Sequence, residues 1–121
     1  MANAVNNFFK SWGDSTEAEA MRRDMFGSAL ADGCVYCDPQ SDGHVVSAHN
    51  IAEYVGMFNN RTPGWTAEVL DYEERHPHAR AKVKFSGPDA EGKILEQHGV
   101  YFVDMNEDGK LTQIVGFADD E

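Results

Sequence analysis

The chain has 121 residues, enough for one domain with one core, and its 41% hydrophobic content with seven Phe, four Tyr and two Trp excludes a disordered chain. A net charge of −11 argues against nucleic acid, whose phosphates demand a basic face, and against anionic membrane surfaces. Residues 1–15 hold no apolar run of signal-peptide length and no stretch matches a bilayer span, so the expected location is cytoplasmic, with Cys34 and Cys37 reduced.

Residues 3–12 carry Val5, Phe8, Phe9 and Trp12 at helical spacing, which predicts a first helix broken at Gly13. Asp14-Ser15-Thr16-Glu17 resembles a capping box and opens a second helix. Its apolar stripe is Ala18, Met21, Met25, Phe26, Ala29 and Leu30, and Asp32-Gly33 ends it. Residues 34–38 read as a short strand that ends on Asp38. Pro39 has no N–H with which to continue a ladder, and it pushes the residue before it toward extended geometry. A polar turn through Ser41-Asp42-Gly43 leads to Ser47, placed to cap a third helix. There Ile51, Tyr54, Val55 and Phe58 form one buried face, and Pro63-Gly64 closes the region.

After Trp65 the period changes. Residues 66–74, 79–85, 94–104 and 111–118 read as strands, separated by turns at His76-Pro77-His78, 87–92 and 106–109. Helices first and a meander of strands last describe one α+β domain over residues 1–121. The strand 79–85 alternates most cleanly, with Ala79, Ala81, Val83 and Phe85 on one face and Arg80, Lys82 and Lys84 on the other. The small side chains at 79 and 81 fit either a cavity beneath the helices or a close helix approach.

Asp38 is the first candidate for chemistry. A carboxylate at a strand end, among aromatic and sulfur neighbours, can serve as a proton acceptor near neutral pH. It can equally be a turn-capping Asp before a proline. Cys34 and Tyr36 share its strand parity, so they line the same space or pack in the core. Trp12, Tyr54, Phe58 and Trp65 are candidate aromatic walls or core. Tyr101 shares a strand face with Gln97 and Gly99, offering a hydroxyl, an amide and open backbone to a ligand carbonyl. His98 has the opposite parity. Cys34 and Cys37 point to opposite faces of a strand, which opposes a metal or redox pair. Asp104 to Gly109 begins like a calcium loop but has Val115 where the bidentate Glu belongs, so it reads as a hairpin turn. The histidines read as surface residues, and no metal or cofactor motif stands out.

Taken in order, Trp12 before an Asp-containing helix start, Arg22 or Arg23, Val35-Tyr36-Cys37-Asp38-Pro39, Ile51 to Phe58 before Pro63-Gly64, and Asp108-Gly109-Lys110-Leu111 leading to Val115-Gly116-Phe117 span nearly the whole chain. This pattern resembles the SnoaL-like branch of the nuclear transport factor 2-like superfamily. The resemblance implies a cystatin-like cone: three N-terminal helices packed on a curved, mostly antiparallel sheet that encloses an apolar pocket. It also implies homodimers through the sheet. Asp38 falls where ketosteroid isomerase-like members carry their base, and Tyr101 falls where they place a neutral acid. Their first-helix Tyr donor has no match here; Phe8, Phe9 and Trp12 stand in that region. Fold alone does not fix function.

The expected function is a cofactor-independent isomerase, cyclase or dehydratase acting on a small apolar molecule. Asp38 takes a proton next to a carbonyl, and Tyr101, with help from Tyr54, steadies the enolate oxygen. The alternatives are a non-catalytic ligand-binding or dimerising domain of the same fold and a protein-interaction module.

Overall fold

The computed structural model describes residues 4–13, 15–41 and 43–119, with the backbone alone for residues 25–28. Asp14 and the side chains of Met25 and Phe26, used above in the second helix, lie outside the described residues. Three helices, α1 (Ala4–Lys10), α2 (Thr16–Ser28) and α3 (Ala48–Arg61), cover a six-stranded sheet of β1 (Leu30–Cys37), β2 (Val45–Val46), β3 (Thr66–Arg75), β4 (His78–Pro88), β5 (Ile94–Met105) and β6 (Leu111–Ala118). The strand order is β2-β1-β6-β5-β4-β3. β1 runs parallel to β6 and every other neighbouring pair is antiparallel. The result is the expected open cone of α+β class. No helix among the described residues is long and apolar enough to cross a membrane.

The helix stripes bury as their spacing dictates. Val5, Phe8, Phe9 and Trp12 are all buried, as are Ala48, Ile51 and Val55 of α3. Ser15 caps α2 by accepting from Ala18 N at 3.0 Å, and Ser47 caps α3 by accepting from Asn50 N at 3.2 Å. Arg22 Nη1 donates to Ser11 O and Gly13 O, each at 2.7 Å, and so ties α2 to the carbonyls left open past the end of α1.

Several boundaries differ from the sequence reading: β4 runs on through Gly87 and Pro88, read above as a turn, and the largest change lies between α2 and β1. α2 stops at Ser28 rather than at Asp32-Gly33, and β1 starts at Leu30 rather than at 34. The apolar pair Ala29-Leu30 fits a helix stripe and a buried strand equally. Pairing decides it: Leu30 lies beside Leu111, and Leu111 N donates to Ala29 O at 2.8 Å. Asp32 and Gly33 then fall in the register shift between Leu30 and Val35. The two-residue strand β2 is too short to show alternation and was not foreseen. On β4, Ala79, Ala81, Val83 and Phe85 face inward. Ala79 and Ala81 belong to the same buried cluster as Val5, Phe8 and Phe9, so their small size accommodates close packing there.

Candidate functional site

A cavity of about 710 Å³ opens between the helices and the concave side of the sheet. Its walls include Trp12 from the segment after α1, Asp38 just past β1, Tyr54 and Phe58 from α3, Phe85 from β4, and Gln97, Gly99 and Tyr101 from β5. Seven of the nine proposed positions therefore meet at one place. The other two do not line it. Tyr36 is fully buried behind the wall, and Trp65 lies against Gly87, with its Nε1–H donating to Pro88 O at 3.0 Å. Phe85 was readable as an inward residue but not as a wall. Lys82, Glu96, His98, Phe117 and Asp119 also line the cavity, His98 among them despite its opposite parity to Tyr101.

Asp38 is the centre of the site. The end of the β1 ladder releases its backbone just where Pro39 turns the chain. Its Oδ1 accepts from Gln40 N at 2.9 Å and Ser41 N at 2.7 Å. Its Oδ2 accepts from the Tyr36 hydroxyl at 2.6 Å, and the Tyr54 hydroxyl sits 3.0 and 3.1 Å from the two oxygens. The turn-capping Asp and the cavity carboxylate are thus one residue. All these partners are neutral hydroxyls and amides. Arg22 is engaged with α1 carbonyls, Arg23 with Glu19, and Arg80 with Glu73 and Asp71, while the charge of Arg61 acts on Tyr54.

The tyrosines stay protonated across the physiological range. Burial, then the neighbouring Tyr101 and Asp38, pushes the Tyr36 hydroxyl well above its usual value. Burial first and the Asp38 charge second do the same for Tyr54; burial raises Tyr101 too, against the lowering effect of Tyr36 beside it and with a smaller push from Asp38. Tyr101, Tyr36, Asp38 and Tyr54 form one connected set. The Tyr54 hydroxyl donates to Asp38 in this arrangement. Burial pushes the Cys34 thiol up to about 12, so it is an inert core residue.

Two glycines hold Tyr101 in place, a feature that residue types alone do not reveal. Gly116 is its cross-strand partner, and a Cβ there would lie 2.5 Å from Tyr101 Cε2. A Cβ at Gly99 would lie 3.2 Å from Cε1. The ring rests against the backbone on both sides, while Phe9 meets it edge-on at 4.8 Å. Trp12 is grouped with Phe58 at 4.8 Å, Phe85 at 5.3 Å and Tyr54 at 6.5 Å.

Among the described residues no group of three or more His, Cys, Asp or Glu side chains is placed to hold a metal ion. The calcium-like stretch is a hairpin turn: Asn106 Oδ1 accepts from Asp108 N and Lys110 N, each at 3.0 Å, and Gly109 sits at φ 82°.

No protein-family model matches the chain, and no curated protein matches it by sequence. Solved structures do. A candidate isomerase of the SnoaL-like family from Agrobacterium tumefaciens superposes with a TM-score of 0.79 at 20% identity, covering 96% of this chain and 94% of the other. A protein with a ketosteroid isomerase-like fold from Catenulispora acidiphila, in complex with trimethylamine, gives 0.75 at 10% identity over 93% and 82%. A candidate SnoaL-like polyketide cyclase from Jannaschia gives 0.73 at 13% identity over 96% and 83%. At these identities the likeness is one of fold. The chain has the nuclear transport factor 2-like cone shared by SnoaL-like and ketosteroid isomerase-like proteins.

Proposed function

We propose that the cavity binds a small molecule with a largely apolar body and a carbonyl, and that Asp38 removes a proton from the carbon beside that carbonyl. The observation that carries this reading is the meeting of a carboxylate held by neutral hydroxyls and amides and the protonated Tyr101 hydroxyl in the wall of one aromatic cavity. In the step, the C–H proton passes to Asp38 and the bond pair moves onto the carbonyl oxygen, which Tyr101 meets with its O–H. The Tyr54 hydroxyl, shared between both Asp38 oxygens and lining the cavity, is the donor that gives way to substrate. The Tyr36 hydroxyl and the Gln40 and Ser41 amides keep the carboxylate aimed. Returning the proton to another carbon isomerises, expelling a hydroxyl dehydrates, and attack on a second carbonyl cyclises.

A second reading is ligand binding without chemistry. It is favoured by the filled coordination of Asp38, whose oxygens already meet two hydroxyls and two backbone amides. Hydrogen–deuterium exchange at the α-carbon of 2-tetralone in D2O, followed by NMR, separates the two. Exchange above buffer that disappears in Asp38→Asn supports proton abstraction; equal rates in both proteins leave binding alone.

The outer sheet face supports a further proposal, association of two copies. Phe102 and Phe117 form an exposed edge-to-face pair at 5.9 Å, and charged residues flank it in the Glu68–Lys84 and Glu73–Arg80 pairs. An apolar centre with a polar rim is self-complementary about a two-fold axis.

A further inference from the structure

We propose that the ligand of this cavity carries a positively charged alkylammonium group, held between the aromatic walls and the Asp38 carboxylate. The inference rests on the second reading, a ligand site without chemistry, because an ammonium group paired with Asp38 lowers its basicity.

A carboxylate withdrawn from bulk water asks for a compensating charge. Asp38 is half-buried and has four donors, yet all four are neutral. Hydrogen bonds from hydroxyls and amides anchor the negative charge without cancelling it. The side chains that share the cavity wall deep inside are Trp12, Tyr54, Phe58, Phe85 and Tyr101, whose ring faces are the negative ends of their quadrupoles. Both features favour the same guest. An alkylated ammonium group is weakly hydrated, gains from ring faces within about 6 Å, and supplies the counter-charge. Its methyl groups pack where a hard, strongly hydrated ion would not. The rest of the lining adds to the field: it includes Glu96 and Asp119 as well as Lys82, and the chain as a whole carries −11. An anionic ligand, such as a carboxylate or phosphate ester, meets the opposite of what it needs.

The test compares choline with 3,3-dimethylbutan-1-ol, which has the same shape with carbon in place of the charged nitrogen. Titration of ¹⁵N-labelled protein reports on the cavity through the Gly99 and Tyr101 amides and the Trp12 indole. The Trp65 indole, bonded to Pro88, is the internal control. Choline is expected to bind at least tenfold more tightly than the alcohol at fixed ionic strength. In Asp38→Asn that preference is expected to fall below threefold. Equal affinities in the wild-type protein overturn the inference while leaving the cavity as a ligand site. A preference that survives in Asp38→Asn also overturns it, because the other lining charges then supply the selectivity. Cavity resonances that ignore both probes overturn the inference and the ligand-site reading together. Loss of α-carbon exchange in the tetralone assay, by contrast, bears on Asp38 as a base and leaves the cation site standing.

Discussion

Gly116→Ala tests whether the fold, and not merely the presence of a Tyr, sets the geometry of the site. Carbon atoms in contact sit about 3.5–4.0 Å apart. A Cβ on Gly116 would lie 2.5 Å from Tyr101 Cε2 and 2.9 Å from Cζ, so the ring or the strand has to give by roughly 1 Å. Neither has free room. Tyr101 is 4% exposed, Gly99 stands on its other edge and Phe9 packs on it at 4.8 Å. Overpacking of this kind costs about 1–3 kcal/mol. For a chain of this size that is a fall in Tm of about 4–12 °C. If Tyr101 meets the reacting oxygen, a shift of about 1 Å also slows tetralone exchange by on the order of 10²-fold. The assays are a thermal melt and the NMR exchange rate. Gly56→Ala on α3 is the control, because a Cβ there meets nothing within 4 Å. It is expected to stabilise by up to about 1 kcal/mol with no change in exchange. A Gly116→Ala protein that melts within about 1 °C of wild type and exchanges tetralone at the wild-type rate would refute the argument.

Ser47 holds φ 88° and ψ 147°, a region comfortable only for glycine, while capping α3. Relief of strain of about 1–3 kcal/mol outweighs the few tenths lost from the cap and the entropy of a freer unfolded chain, so Ser47→Gly is expected to raise the denaturation midpoint. The raised Tyr36, Tyr54 and Tyr101 make stability fall at high pH. Above about pH 10 the unfolded chain releases tyrosine protons that the folded state keeps, so stability is full below that pH and declines as pH rises. Urea melts between pH 9 and 12 should show this decline, and Tyr36→Phe should make it shallower; a flat profile contradicts the burial of these hydroxyls. Phe102→Glu places a charge at the centre of the outer face, and sedimentation is expected to show dimers for wild type and monomers for the variant. An unchanged dimer would place the interface elsewhere.

The parts of the fold that follow from local pattern were legible. The alternation on β4 named its inward face, and the α3 stripe named its buried side. Pro39 placed the end of β1 to within one residue, Cys37 against the expected Asp38. What escaped depends on contacts between distant segments. Ala29-Leu30 satisfies two periodicities, and only the pairing with Leu111 chooses strand over helix. Trp65 read equally as a cavity wall or as core. Its place is set by Gly87, whose missing side chain offers the ring a flat seat. The site was legible as a set of residues rather than as an arrangement. Asp38 and Tyr101 were both visible, but the convergence of Tyr36 and Tyr54 on one carboxylate needs α3 laid across the end of β1. Gly116 was part of a familiar pattern, and its steric reason appears only once Tyr101 is seen against it.

The most direct test of the central claim is a crystal structure of the protein with 2-tetralone bound. The account requires the ketone inside the cavity, with its α-carbon about 3–3.5 Å from an Asp38 oxygen. Its carbonyl oxygen should lie within hydrogen-bonding distance of the Tyr101 hydroxyl, and Tyr54 should be displaced from Asp38. A ketone bound with its carbonyl toward the opening, while Tyr54 still occupies both Asp38 oxygens, would contradict proton abstraction by Asp38.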